Sequence, residues 1–574
     1  MALGSTNPIS SDVPAENAPY QAAPLYYLDN FVSLISTVYA LYDDLLTPAE
    51  LSFYRRFIAL DSNAQALLVR LLSRKGDLFR LSKIRYTEIG DTHLATAILL
   101  SEDLISEPLS ARLDDIFPLF TKAEWLQLLK RNDLKNTPKN LLKEHLAEDD
   151  YLLPNVLSSC DDTLVKINCR QIFSTYKLLF FGNGRQDLTD FITVELGITQ
   201  FEAYRIHKQS RFFEKREQVN SMLSYYTLQE DLLDLKPYDA AQLVSLLHRL
   251  PAIQTISGNS YVERVLNRRI QRAHLTVARQ LERLGANDAA LSIYQHCEQP
   301  PSRERQIRIL HKQEKTEQAC ELGNQLLKTG SDAEIRFAQA FLARINKASS
   351  RTAYSPTTQL TKPSIKHLTT ETLQLATTTL SVEQAVSMHY SQQGTCYYLE
   401  NQFFLSLFGL VFWPAVFADV PGAFTHKFQS QPHDLYDQQF SARRQAQIAS
   451  GWKQLKQWLE SPEQALHFYR QKKGIANPFI SWLEESEQAL MLALMLALQR
   501  IPFCHWQAIF KRLWHNPKEN RNGFPDLVHF PQEGGYQLIE VKGPGDKVQD
   551  NQARWFDYFQ QHKIPCRVTH VRWL

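Results

Sequence analysis

A segment near the C-terminus constrains the fold of this chain more than any other. Two apolar, β-prone runs, Phe524–Phe530 and Tyr536–Lys542, flank a short turn that contains Pro and Gly. This arrangement predicts a β-hairpin. Because side chains alternate between the two faces of a strand, we expect Glu540 and Lys542 on one side, with Asp526 near the start of the partner strand and able to approach that side. The hairpin therefore predicts that two carboxylates and one ammonium group converge.

The spacing of these residues indicates a metal-dependent nuclease. Pro525-Asp526, a gap of thirteen residues and then Glu540-Val541-Lys542 make up the PD-(D/E)XK pattern. We assign Asp526, Glu540 and the backbone carbonyl of Val541 as ligands of Mg²⁺ or Mn²⁺, since converging carboxylates make a hard, anionic oxygen site. Such an ion lowers the pKa of a bound water and neutralises charge on the scissile phosphate, while Lys542 would orient the water or offset charge on the phosphorus. Taken alone, the same letters also fit a short solvated strand.

The sequence after the hairpin favours the nuclease interpretation. A turn at Gly543–Gly545 is followed by a helical pattern at about 549–562 and by a β-rich run at 566–573. The predicted order is strand, strand, helix, strand. This is the order of elements that the core of such a nuclease requires.

The composition bounds the class of protein. At 574 residues the chain is long enough for several domains, and its formal net charge of +2 means that any nucleic-acid surface has to be local. The seven cysteines are scattered without a CxxC pair, which favours a reducing compartment and argues against a disulfide framework or a structural zinc site. The apolar stretches 403–418 and 489–498 are shorter than the roughly 20 residues of a membrane span, so we predict buried helices and no membrane association.

Three stretches of the chain are rich in basic residues and poor in acids. They are either solvated helix faces or parts of a discontinuous surface that contacts phosphates, in which case the affinity for DNA would fall steeply with salt. Three such stretches in one near-neutral chain favour the second interpretation, because the balancing acids then lie elsewhere. The residues that we assign to DNA contact are Arg70, Arg74, Lys75, Arg80, Lys83, Arg205, Lys208, Arg211, Arg268 and Arg269.

Several segments together resemble one family, the Fanconi-associated nucleases, whose catalytic module is the VRR-type nuclease domain. The resemblance extends over nearly the full chain, and the segments around the hairpin are the most specific. The matching segments are 26–44, 179–183 with 186–188, 399–401, 407–410, 420–424, 432–436, 520–527 and 539–544.

The resemblance implies further site residues. An upstream helical carboxylate completes the metal site in this family, and it corresponds to Glu400. Gln552, on the helix after the Glu-x-Lys strand, corresponds to a position that often faces the active site, although a solvated glutamine is an equal alternative. Animal members hold a 5′ phosphate in a basic pocket, to which Lys518 and Arg521 would contribute here. Asn551 stands where that pocket would have a lysine, which weakens the expectation of a strong terminal-phosphate anchor.

The resemblance also implies the activity. It is that of a structure-selective nuclease that uses one or two Mg²⁺ or Mn²⁺ ions, incises 5′ flaps, degrades DNA from 5′ ends and serves interstrand-crosslink repair. The partner is branched DNA with 5′ flaps, and we expect a monomer. No Cys/His cluster occurs early in the chain, so we expect a bacterial-type member without the ubiquitin-binding zinc finger. The location would be the nucleoid in a bacterial cytoplasm, or the nucleus in a eukaryote.

Pattern and resemblance together predict a multidomain, mainly α-helical chain that ends in an α/β nuclease domain of the PD-(D/E)XK, VRR-type fold. The predicted segments are a disordered leader at 1–24, a helical N-terminal domain at 25–150, a SAP-containing DNA-binding domain at 151–260, tetratricopeptide-like helical repeats at 261–347, a Ser/Thr/Pro-rich linker at 348–366 and the nuclease domain at 367–574.

Two other functions fit the same residues. A nuclease of this fold that cuts four-way junctions would act as a dimer with two active sites, whereas long helical domains attached to one catalytic module favour a monomer on one flap. A scaffold that only grips DNA would normally have lost a metal ligand or the lysine, and all four positions are filled here.

Overall fold

The structure is a computed structural model. It describes residues 25–108, 112–128, 130, 132–147, 162–188, 199–234, 238–249, 260–349, 369–482 and 484–574. The predicted leader at 1–24 and residues 350–366 of the predicted linker lie outside the described residues.

The contacts divide the chain into two compact units. The first takes the described residues within Met1–Tyr39, Thr47–Phe173 and Gln186–Thr199, and the second takes those within Ala40–Leu46, Ser174–Arg185 and Gln200–Leu574. This division follows contacts rather than the predicted domain boundaries, which stay predictions.

The first unit is mainly helical. Side-chain oxygens begin three of its helices: Thr47 forms a capping box with Glu50, and Asp61 and Asp91 each accept hydrogen bonds from the backbone N–H groups of the first turn. Its described helices and strands are α1 Tyr26–Tyr42, which runs on into the second unit, α2 Pro48–Ala59, α3 Ser62–Leu72, β1 Leu78–Arg80, α4 Thr92–Ser101, β2 Ile105–Ser106, α5 Leu113–Ile116, α6 Lys122–Leu128, α7 Lys139–Ala147, β3 Leu164–Ile167 and the start of α8 Arg170–Phe181.

A small sheet and an aromatic core hold this unit together. The three strands are antiparallel in the order β1-β3-β2. The Phe31 and Phe57 rings lie 4.8 Å apart in the core between α1 and α2, and the Trp125 indole donates to the backbone oxygen of Phe117, 3.0 Å away. The buried indole N–H thus finds the partner that a buried polar group needs.

The second unit begins with helices that pack in sequence on their neighbours. They share one core, which includes Val277, Leu281, Tyr294, Ile307 and Leu326. From Tyr261 onward, consecutive helices are joined by short connections and share this core, as the predicted helical hairpins require. The helices are α9 Arg216–Asp234, α10 Ala240–Leu247, α11 Tyr261–Arg283, α12 Asn287–Gln295, α13 Ser302–Lys312, α14 Thr316–Thr329 and α15 Asp332–Ser349.

The C-terminal part of this unit is an α/β structure. Its five-stranded sheet has the order β4-β8-β7-β6-β5; β8 runs parallel to β4 and β7, whereas β6 runs antiparallel to β7 and β5. The elements are β4 Thr370–Leu375, α16 Val382–Tyr390, β5 Gly394–Tyr398, α17 Glu400–Val411, α18 Trp413–Val416, α19 Gln445–Glu460, α20 Pro462–Lys472, α21 Glu484–Arg500, α22 Phe503–His515, α23 Pro517–Asn520, β6 Leu527–Pro531, β7 Gln537–Lys542, α24 Asp550–Gln561 and β8 Cys566–Trp573. The predicted order of hairpin, helix and strand, and the predicted fold class, are confirmed.

The sheet is covered on both faces, so its strands read as nearly continuous apolar runs. Leu527, Ile539 and Val541 face α16, while Val528 and Leu538 face a larger core built from α17, α21, α22 and α24. This alternation is what the two-residue period of a strand dictates. It sends Glu540 and Lys542 to the same face as Leu538, at the end of β7.

Among the described residues, no single helix is long and apolar enough to cross a membrane. The pair Glu485–Arg500 and Phe503–His515 passes that test only together and is bent by 119°. Both helices supply buried residues to the larger core.

The buried His426 and the partly buried His433 pack against the end of α8 and the segment before α9. The His426 ring stacks on Phe180 at 4.9 Å, and the His433 ring lies 5.1 Å from the Phe212 ring. At Gly182, with φ +65°, an added Cβ would lie 2.7 Å from His433 Nε2, so the chain needs a glycine there. Burial lowers the pKa of each imidazole to about 3, helped at His426 by His433 and at His433 by the charge of Arg269.

We predict that this pair makes the fold sensitive to mild acid. A histidine ordinarily titrates near pH 6.5, so below that pH the unfolded chain binds protons that the folded chain excludes. The associated stability is complete above about pH 6.5 and is lost as the pH falls, by roughly 2 kcal/mol per histidine at pH 5. Urea unfolding at pH 7.5 and pH 5.0 should therefore differ less for His426→Phe than for the wild type. The exposed His467→Gln is the matched control, and an equal pH difference in all three proteins would contradict the prediction.

Candidate active site

The site forms where two strands of the sheet separate. The ladder between β6 and β7 ends at the pair Leu527 and Ile539, so Asp526 and Glu540 lie one residue beyond it. The N–H of Val541, which has no partner on β6 beyond this point, donates to Asp526 Oδ2 at 2.8 Å. The predicted metal ligand Asp526 is thereby fixed against the strand that carries Glu540.

Glu540 and Lys542 meet on one face of β7, as the strand period predicts. Lys542 Nζ lies 2.9 Å from Glu540 Oε1 and donates to Gln552 Oε1 at 3.1 Å. The Gln552 amide in turn donates to Glu540 Oε1. Gln552 on α24 therefore contacts both groups and is not a solvated surface glutamine. Its catalytic role stays a prediction.

Glu400 enters from another part of the sheet. It is the first residue of α17, directly after β5, and its φ of +40° is in the left-handed region that a glutamate rarely adopts. The N–H groups of Leu399 and Glu400 both donate to the backbone oxygen of Asp526, at 3.2 and 3.0 Å. These two hydrogen bonds hold the start of α17 against Asp526. The left-handed backbone of Glu400 is strained, and such local strain is typical of functional sites.

Asn401 and Gly523 fix the loop that leads into β6. Asn401 Oδ1 accepts hydrogen bonds from the N–H groups of Gly523 and Phe524 at 3.0 and 3.2 Å. Gly523 has φ +94°, and a Cβ there would lie 2.8 Å from the carbonyl carbon of Asn551. The close approach of the loop to the start of α24 therefore requires glycine.

The carboxylates of the site carry more negative charge than the neighbouring positive charge balances. Burial raises the pKa of Asp526 to about 6, and the negative charges of Glu400 and Glu383 add to the rise against the Val541 N–H and Lys542. Burial and the charge of Asp526 raise the pKa of Glu540 to about 8 despite Lys542. Lys542 alone therefore does not compensate the acids that surround it.

The donor set fits a divalent cation. Glu540 Oε2 is buried and has no hydrogen-bond partner, so an atom that strongly prefers a partner points into the site. Together with the carboxylates of Asp526 and Glu400 it offers the oxygen ligands that Mg²⁺ and Mn²⁺ prefer. Among the described residues, no three or more His, Cys, Asp or Glu side chains lie together as a group that could hold a metal ion. A cation site is therefore supported by the uncompensated negative charge and the unpartnered Glu540 oxygen, and not by a preformed set of ligands.

In the first unit, the structure gives some of the predicted DNA-contact residues carboxylate partners within the protein. Arg70 forms an ion pair with Glu88, and Arg80 pairs with Asp162 and Glu124 at 2.8 and 2.7 Å. Arg74, Lys75 and Lys83 are exposed, and Lys83 Nζ lies 3.9 Å from Glu124 Oε1. Their contacts with DNA stay predictions.

A similar pattern holds in the second unit. Arg205 is exposed, whereas Lys208 pairs with Asp43 and Arg211 pairs with Asp44. Arg268 lies 3.5 Å from Asp437, and burial lowers the pKa of Arg269, whose guanidinium lies over the Tyr226 ring. In the neighbourhood of β6, Lys518 is exposed, while Arg521 donates to Tyr436 Oη and to the backbone oxygen of Pro478.

Comparison with known proteins identifies the family. The family described as "FAN1, HTH domain" matches residues 25–106, and the family described as "VRR-NUC domain" matches residues 457–573. The Fanconi-associated nuclease 1 homolog of Pseudomonas aeruginosa is 32% identical over 566 residues, which cover 97% of each chain. The chain belongs to the Fanconi-associated nuclease family. It is therefore a DNA nuclease whose VRR-NUC domain depends on a divalent metal ion, as the sequence predicts.

Other relatives and a solved structure extend this comparison. The Fanconi-associated nuclease 1 homolog of Arabidopsis thaliana is 24% identical over 95% of this chain and 67% of its own length. Human Fanconi-associated nuclease 1 is 23% identical over 98% of this chain and 65% of its own length. A crystal structure of paFAN1 bound to 2nt 5′-flap DNA with a gap has a TM-score of 0.80 and 32% identity, and covers 97% of this chain and 100% of that one.

Glu400 lies outside the segment that matches the VRR-NUC domain, which starts at residue 457. The tie between the backbones of Glu400 and Asp526 brings it to the site all the same. Sequence reasoning found Glu400 only by resemblance and assigned no role to Tyr398 or Asn401. The sequence gives no local signal for Asn401, because the N–H groups that its side chain accepts from lie 122 and 123 positions away.

We predict that Glu540→Gln abolishes stabilisation of the Fanconi-associated nuclease by metal. A ligand that binds only the folded state stabilises it by about 2.7 kcal/mol at a concentration 100 times its dissociation constant. Adding Mn²⁺ should raise the melting temperature of the wild type and leave that of Glu540→Gln unchanged. Glu533→Gln, which removes an exposed acid in the turn between β6 and β7, serves as control. A wild-type response of Glu540→Gln to Mn²⁺ would exclude Glu540 as a ligand.

Proposed function

We propose that this nuclease incises 5′ flaps, degrades DNA from 5′ ends and acts in the repair of interstrand crosslinks. The observation that carries the proposal is the similarity over 97% of the chain to a protein crystallised on 5′-flap DNA. The site described above supports it, because Asp526, Glu540, Lys542 and Glu400 are all present and a buried oxygen of Glu540 lacks a partner.

The metal would be held by the carboxylates of Glu400, Asp526 and Glu540 and by the backbone carbonyl of Val541. When bound, such an ion lowers the pKa of the attacking water and neutralises charge on the scissile phosphate. Both Mg²⁺ and Mn²⁺ suit an all-oxygen donor set, and we propose that either supports catalysis.

Each side chain of the site has a separate task. Asp526 is oriented by the Val541 N–H and Glu540 by the Gln552 amide. Lys542 is held between Glu540 and Gln552, where its ammonium group orients the attacking water or stabilises charge that develops on the phosphoryl oxygens. Because these groups are positioned before substrate binds, catalysis rests on positioning and electrostatics.

The exposed basic residues supply the candidate contacts with phosphates. They are Arg74, Lys75, Lys83, Arg205 and Lys518, which are exposed in the structure. Residues that neutralise phosphates release counterions, so the affinity for DNA should fall steeply with salt. For a nuclease of this kind we propose that the chain acts where chromosomal DNA lies, on the nucleoid in a bacterium or in the nucleus of a eukaryote.

A nuclease that cuts four-way junctions is the alternative within the same test. A junction-cutting enzyme would be dimeric on its substrate, whereas we propose a monomer on one flap. Light scattering of the protein on junction DNA and on flap DNA distinguishes the two, because the dimer doubles the protein mass per DNA.

We predict that Asp526→Asn lowers the rate of 5′-flap cleavage by about 100-fold or more. The amide keeps an oxygen for the Val541 N–H, so the fold is preserved, but it loses the charge that attracts the cation. Cleavage of end-labelled 5′-flap, 3′-flap and four-way-junction duplexes with Mg²⁺ or Mn²⁺ measures the effect.

Binding of the same DNA without metal should be equal or stronger in Asp526→Asn, because a negative charge near the phosphate is removed. Glu533→Gln should cleave like the wild type. Preferred cleavage of junctions would favour the resolvase alternative, and the absence of cleavage on every substrate with binding intact would contradict the proposed 5′-flap activity.

A further inference from the structure

Tyr398 lies at the edge of the site without a role in the chemistry described so far. It is the last residue of β5, paired in register with Leu527, the residue after Asp526. Its side chain is 39% exposed, yet its hydroxyl donates to Glu400 Oε1 at 2.5 Å. A largely exposed tyrosine therefore makes a short, charge-assisted hydrogen bond to a predicted metal ligand.

Glu400 needs such a partner more than the other acids do. Asp526 and Glu540 are held by the Val541 N–H and the Gln552 amide, but Glu400 is an exposed residue at the first turn of α17. Within the described part of the chain, the Tyr398 hydroxyl is the hydrogen-bond partner of its carboxylate. The backbone of Glu400 is fixed, whereas its long side chain would otherwise move among several rotamers.

We propose that Tyr398 is a positioning residue that holds the Glu400 carboxylate in place for the metal ion. This inference deepens the proposed function and rests on Glu400 being a ligand. Outer partners of ligating carboxylates orient the ligand and raise metal affinity, and their loss costs about 10–100-fold.

The chemistry of the donor suits this task. The Tyr398 hydroxyl is a neutral group with one O–H donor, and the Glu400 carboxylate accepts it. A lysine or arginine at this position would also hold Glu400, but its charge would compete with the cation for the same carboxylate. A neutral donor fixes the ligand and leaves its charge available to the metal.

The adjacent Tyr397 provides a matched control. Because successive residues of a strand point to opposite faces, its ring packs into the larger core, 6.4 Å from the Phe530 ring. Tyr397→Phe also removes one tyrosine hydroxyl, but from the neighbouring residue, whose ring lies on the opposite face of the strand from Tyr398.

The test is a Mn²⁺ titration of the DNA-free protein, in which electron paramagnetic resonance reports the free ion. Wild type, Tyr398→Phe, Tyr397→Phe and Glu400→Gln are compared, and cleavage of the 5′-flap duplex is measured over the same range of Mn²⁺. We expect Tyr398→Phe to weaken Mn²⁺ binding about tenfold, at the low end of the outer-partner range because the contact is partly exposed. Its cleavage rate should recover at saturating Mn²⁺, and Tyr397→Phe should match the wild type.

The outcomes separate this inference from the proposal on which it rests. If Glu400→Gln weakens Mn²⁺ binding and Tyr398→Phe does not, Glu400 is a ligand and Tyr398 does not position it. If Glu400→Gln binds Mn²⁺ like the wild type, the assignment of Glu400 itself is wrong. A Tyr398→Phe protein with normal Mn²⁺ binding but weaker affinity for DNA would make Tyr398 a DNA contact and overturn its role at the metal.

Discussion

Burial of the carboxylates at the separated ends of β6 and β7 is the constraint around which the catalytic half of the molecule is built. Glu540 is fully buried and Asp526 partly buried, and burial raises the pKa of Asp526 to about 6 and that of Glu540 to about 8, so their charged forms are unfavourable in the absence of a cation. The surrounding structure offsets this cost with a covered sheet, a lysine shared by Glu540 and Gln552, and a backbone N–H aimed at Asp526. The buried carboxylates that destabilise the site without a cation are also the groups that would bind a divalent ion.

Sequence reasoning was strong where a period or a spacing fixes geometry. The strand period alone placed Glu540 and Lys542 on one face, and the order of the elements after the hairpin gave the core of the nuclease fold. It was weak where geometry depends on contacts distant in sequence. Glu400 is held next to Asp526 by backbone hydrogen bonds across 126 positions, and no local pattern carries that information. Tyr398 and Asn401 were missed for the same reason, since each acts through a neighbour that only the fold brings near.

The basic stretches illustrate a second limit of local patterns. The single acid near Arg80 in sequence is Asp77, which pairs with Arg170, whereas Arg80 itself pairs in space with the distant Glu124 and Asp162. A run of arginines in a near-neutral chain therefore divides into residues that hold the fold together and residues that stay exposed. The division depends on tertiary structure: Arg211 is paired with Asp44, while Arg205, only a few positions earlier, is exposed. Charge counts along the sequence cannot distinguish these two kinds of arginine.

The backbone tie between Glu400 and Asp526 turns everything between them into one loop with anchored ends. The free energy of closing a loop grows only slowly with its length, by about 0.6 kcal/mol for each doubling. The exposed connections between the helices that separate β5 from β6 can therefore be lengthened or shortened with little effect on the distance between the two acids, provided that the helices of the larger core and the residues at the two anchors stay. An enzyme built in this way can acquire new surfaces for different branched substrates in these connections while its catalytic geometry is inherited unchanged.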